Sequence, residues 1–108
     1  MTTADVQEKL EDLSKRASYI SPSECNDEAI MLSAILSSLN VPRATMKQKA
    51  YRVALDVIGS ASLAEITMKA SDEYKQFMIL DGLSEAVLQM IHSLKAKARN
   101  LTDEEKTI

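Results

Sequence analysis

With 108 residues and 45% hydrophobic content, the chain has the length of one ordinary domain and enough apolar material to bury a core without disulfides or metals. Two Gly and two Pro are too few for the turns of an all-β fold, and the abundance of Ala, Leu, Met, Glu, Lys and Gln sets the expected class as all-α. The net charge of −3 argues against a protein that coats nucleic acid non-specifically, and a lone cysteine, Cys25, excludes an intramolecular disulfide.

The first helix is expected from about Ala4 to Ser18, capped by Thr2 or Thr3, with Val6, Leu10, Leu13, Ala17 and Ile20 as a narrow apolar seam. Ser21-Pro22-Ser23-Glu24 signals the next start, with Ser21 as cap, Pro22 at the first helical position and Glu24 closing a capping box. That helix is expected to end near Leu39, because Asn40 tolerates a left-handed turn and Pro42 cannot extend the preceding helix. A third helix then spans about Arg43–Ile58 and stops at Gly59. Ser62-Leu63-Ala64-Glu65 reads as a capping box for a short helix to about Ala70, and Ser71-Asp72-Glu73 opens a long last helix to about Ala98. Gly82 inside it marks a candidate kink or break. The expected organisation is one domain over residues 1–99, with four to five helices, a helix-turn-helix-like hairpin over 29–58 and a polar tail over 100–108, able to form a dimeric bundle.

No catalytic constellation emerges. Cys25 and His92 stand alone, no metal-ligand spacing is present, and two glycines cannot build a phosphate or dinucleotide loop. The expectation is a non-enzymatic protein without cofactor or metal. The longest apolar run, near Ala29–Leu36, is too short to span a membrane. Residues 1–5 lack the basic and apolar regions of a secretory signal, and the lone cysteine fits a reducing compartment, so a soluble cytoplasmic protein is expected.

The charge is uneven. Residues 43–52 carry +4 through Arg43, Lys47, Lys49 and Arg52, with no acid among them. The stretch Leu39-Asn40-Val41-Pro42-Arg43-Ala44-Thr45-Met46 leading to Lys49 resembles the turn and recognition helix of Fis-type and response-regulator-type helix-turn-helix DNA-binding proteins; Leu39, Asn40, Val41, Thr45 and Met46 match that pattern in order. The resemblance implies double-stranded DNA as partner. Thr45 would then meet the phosphate backbone, Gln48 and Lys49 base edges, and Arg43 and Arg52 positioning phosphates, with Lys47 beside them.

A second reading competes with it. The middle of the second helix is apolar nearly all round, and the first and last helices carry heptad-like seams. These features fit an acidic helical protein–protein interaction module, such as an adaptor, a chaperone or a phage-type inhibitor, and a homodimer under either reading.

Overall fold

The computed structural model describes the backbone of residues 2–16 and 19–106, and side chains as far as residue 100. It is all-helical: α1 (Thr3–Arg16), α2 (Pro22–Leu55), α3 (Ala61–Ala70) and α4 (Asp72–Lys106), with no strand among the described residues. Ser18, the expected end of the first helix, lies outside them.

Side chains set each start. The Thr2 hydroxyl accepts from Asp5 N–H at 3.2 Å, and Thr2 N donates to Asp5 Oδ2 at 2.9 Å, so Thr2 rather than Thr3 closes a reciprocal box. The Thr2 backbone bond, then its hydroxyl, holds the Asp5 carboxyl below the usual carboxylate range. Ser21 Oγ accepts from Glu24 N–H at 3.2 Å before Pro22, as the start signal requires. In α3 the cap is Ser60, whose hydroxyl accepts from Leu63 N–H at 3.2 Å; the expected cap, Ser62, lies two residues too late and sits inside the helix. Glu65 therefore pairs with Lys69 at 3.0 Å instead of reaching back to a cap. Ser71 Oγ accepts from Tyr74 N–H at 3.2 Å and starts α4.

The helix-turn-helix-like hairpin over 29–58 does not form. Residues 22–55 are one helix, and Asn40, Val41 and Pro42 are exposed positions within it. Proline in a helix interior costs roughly 3 kcal/mol. What outweighs it is a second periodicity: Leu32, Leu36, Leu39, Arg43, Met46, Ala50 and Val53 recur at four- and three-residue steps through the proline without losing phase, and all are buried or half-buried. Val41 points to solvent at 73% exposure instead of locking a turn. The helix ends at Leu55, short of the expected Ile58, and Gly59 belongs to the connection that follows. Nor does Gly82 break α4, which keeps its helical backbone through Lys106, beyond the expected end at Ala98.

The chain divides into two compact units: Met1–Ser37 with Leu83–Ile108, and Ser38–Gly82. In the first, the core is Val6, Leu13 and Ile20; Cys25, Ala29, Leu32 and Ile35; Leu83, Val87, Ile91, Leu94 and Ala98. Of the expected first-helix seam, Val6, Leu13 and Ile20 are buried and Leu10 is half-buried, and Ala17 lies outside the described residues. A fully buried aliphatic side chain such as Leu13 or Leu32 contributes about 1.5–3 kcal/mol. Glu28 ties the first two helices of this unit together, at 2.8 Å from Lys9 Nζ and 3.5 Å from Arg16, which also pairs with Asp12 at 2.8 Å.

The second unit is built differently. Only Leu39 and Ala50 are buried among its described hydrophobic residues, and α3 has no buried residue. Half-buried Met46, Val53, Met68, Tyr74, Phe77 and Leu80 are among the residues that add to its interior, with the Tyr74 and Phe77 rings 6.2 Å apart.

Candidate functional site

The six residues singled out by the resemblance all lie on the second half of α2, within the unit Ser38–Gly82. Mid-helix, their backbone N–H groups serve the ladder of α2 itself, so no free helix start is presented at Pro42 for a phosphate. Their side chains do not converge. Arg43 is half-buried and lies 3.5 Å from Asp81. Lys47 Nζ sits 5.9 Å from the centre of the Phe77 ring. Arg43, Ala44, Lys47, Phe77 and Asp81 together line a shallow cleft of about 360 Å³. Lys49 lines a separate cleft of about 210 Å³ with Met46, Asp72, Glu73 and Gln76. Thr45, Gln48 and Arg52 are exposed at three- and four-residue spacing and share an outer face. The four basic residues thus point in several directions: Arg43 pairs with Asp81 in the first third of α4, and Lys49 shares a cleft with Asp72 and Glu73 at its start.

Cys25 is fully buried in α2 and His92 is exposed on α4. Among the described residues there is no group of three His, Cys, Asp or Glu that could hold a metal ion, and no helix long and apolar enough to cross a membrane.

The feature that sequence reading missed is apolar. Eleven large hydrophobic residues are exposed among the described residues, and eight of them fall between Ser38 and Gly82. They are Val41, Tyr51, Leu55, Ile58, Leu63, Ile66, Met78 and Ile79, with Leu55 82% and Ile58 98% exposed. On α2 they follow an order of their own. Val41, Ala44, Gln48, Tyr51 and Leu55 step by three and four residues and are all exposed, roughly opposite the inward row of Leu39, Met46 and Ala50. On α3, Leu63 and Ile66 are three apart and share a face. The signal was present as spacing, but a turn assumed at Val41 cuts the outer row in two.

Monomeric soluble proteins expose few contiguous apolar patches, and larger ones mark contact with other macromolecules. No family model matches this chain, and no curated protein or solved structure matches it.

Proposed function

We propose that this chain is a non-enzymatic protein-binding module whose docking surface is the apolar exterior of Ser38–Gly82. One observation carries the proposal: this unit buries only Leu39 and Ala50 yet exposes eight large hydrophobic side chains. Covering them with a partner removes apolar surface from water at about 25 cal/mol per Å². The charged side chains around them support the reading. Arg43 lies 3.5 Å from Asp81, and Lys49 lines a cleft with Asp72 and Glu73, so acidic side chains near two of the four basic residues weaken the field a polyanion would meet.

A photo-crosslinking amino acid placed at Leu55 or Ile66 tests the surface in living cells. Protein adducts are expected at both positions and not at Glu11 or Lys95, and they should vanish when Tyr51 and Leu63 become Asp. Absence of adducts at Leu55 and Ile66 would sink the proposal. So would tight binding to duplex DNA at low salt that disappears in the Lys49→Glu, Arg52→Glu variant, which would restore the nucleic-acid reading.

A further inference from the structure

We infer that the occupant of this surface is an acidic amphipathic helix of another protein, laid along the outer row of α2 from Val41 to Leu55; the inference rests on the protein-docking reading above. No acid stands between Glu28 and Asp56, and residues 43–52 carry Arg43, Lys47, Lys49 and Arg52 in a chain whose net charge is −3. Exposed cations border the apolar row on both edges. Lys47 stands three residues after Ala44 and four before Tyr51, which places it along one edge. Arg52 stands four after Gln48 and three before Leu55, along the other edge, with Lys49 further out on that side. The cleft of Arg43, Lys47, Phe77 and Asp81 opens beside Ala44, which belongs to the cleft and to the row. Within it Arg43 offsets Asp81 at 3.5 Å, and Lys47 leaves the balance positive.

Area and charge together select the occupant. From Val41 to Leu55 the row is about 21 Å long and one helix wide. That strip falls short of the roughly 800 Å² that each partner contributes to a stable interface, so apolar contact there gives only a weak grip. Acidic side chains meeting Lys47 on one edge and Arg52 on the other add attraction and fix the orientation. A second copy brings the same cations to the seam and no acid, so it lacks that contribution. Duplex DNA would meet the cations but set phosphates against Val41, Tyr51 and Leu55, which gain nothing from them. A helix suits the row because side chains at three- and four-residue steps form ridges that seat the ridges of a second helix, and small Ala44 permits close approach. The backbone of α2 is bonded within its own ladder, so an extended segment would gain no main-chain hydrogen bonds there.

Two synthetic peptides of about 18 residues test the inference against the full chain. Both are Ala-rich helices with Leu at three- and four-residue steps on one face; one carries Glu on both edges of that face, the other Lys. In fluorescence anisotropy the Glu-flanked peptide should bind about tenfold tighter than the Lys-flanked one at low salt. The difference should close at 1 M salt, where screening acts beyond about 3 Å. In the Lys47→Glu, Arg52→Glu variant the preference should reverse, a gain that an unfolded variant does not produce. Equal binding of the two peptides, or binding of neither, would overturn the inference. Protein photo-adducts at Leu55 and Ile66 would then leave the docking reading standing, whereas their absence would remove both. A purified protein that sediments at twice the chain mass, and at the single-chain mass once Leu55 becomes Asp, would put a second copy in the row and overturn the inference. Duplex DNA bound in preference to the Glu-flanked peptide, and lost in the Lys49→Glu, Arg52→Glu variant, would overturn the inference and the docking reading together.

Discussion

Two glycines of this chain make opposite demands on a side chain. Gly59 follows α2 with φ of 144°, a conformation that L-residues rarely adopt, and a Cβ there would lie 3.2 Å from Leu63 Cδ2. Leu63 is the residue whose N–H is capped by Ser60, so a shift to relieve the contact pulls on the start of α3. Gly59→Ala should therefore lower unfolding stability by about 1–3 kcal/mol, read as a lower urea midpoint at unchanged slope. Gly82 lies within α4, and a Cβ there meets nothing within 4 Å. At this position glycine contributes only the entropy it must lose to become helical. Gly82→Ala should raise stability by about 0.5–1 kcal/mol in the same titration. A fall in the Gly82→Ala midpoint would mean that the backbone there is not helical, and that α4 is broken as the glycine alone suggests.

At the level of elements, the sequence disclosed most of the helices and set its one false break at Asn40–Pro42, with smaller shifts at the ends of α2 and α4 and at the start of α3. The starts were legible because Thr2, Ser21 and Ser71 make the capping bonds their positions suggest, and Val6, Leu13 and Ile20 in the first seam and Leu83, Val87 and Leu94 on α4 are core because apolar residues at three- and four-residue steps face one side of a helix. The continuity of α2 is hidden in the sequence for a physical reason. Asn40 and Pro42 are strong local signals for a helix end, and Arg43 places a charge in the inward row, where the apolar periodicity calls for a hydrophobic residue. Half-buried and 3.5 Å from Asp81, Arg43 keeps the periodicity running while hiding it. The same error made residues 43–52 look like one basic patch at a helix start and concealed the outer row that begins at Val41. The continuity of α2 is testable through Pro42. In a continuous helix proline is a defect, so Pro42→Ala should raise stability by about 1–3 kcal/mol, with a small gain in helical circular dichroism. In a helix-turn-helix, proline opens the second helix and fixes the turn, and Pro42→Ala would be neutral or destabilising. A lowered midpoint would therefore reinstate the hairpin over 29–58.

Across the whole molecule, stability is expected to be uneven. The unit Met1–Ser37 with Leu83–Ile108 holds nearly all of the fully buried side chains, including Val6, Leu13, Leu32, Val87 and Leu94, and adds the Glu28 ion pairs. The unit Ser38–Gly82 has a thin interior of half-buried Met, Val and aromatic residues around Leu39 and Ala50. Within it, α3 spans 10 residues without a buried side chain, which is shorter than an isolated helix needs to persist in water. Local opening free energies follow buried apolar contact, so native-state hydrogen exchange should divide the molecule along this line. Amides around Val6–Leu13, Ala29–Ile35 and Val87–Leu94 should exchange only through global unfolding. Those of Ala61–Ala70 should exchange through a smaller opening, with free energy well below the global value and a weak dependence on denaturant. Equal protection in α3 and around Val87–Leu94 at high dilution would contradict this division. Titration with the Glu-flanked peptide adds a separate diagnostic. Any binding that covers the outer row of α2 stabilises only the state in which that row is formed, by mass action. Protection over residues 41–55 should then climb with peptide concentration while that of Val6–Leu13 stays at the global limit. A second copy would instead produce this behaviour in the purified protein alone as its concentration rises, whereas a different protein partner predicts it only when that partner is added.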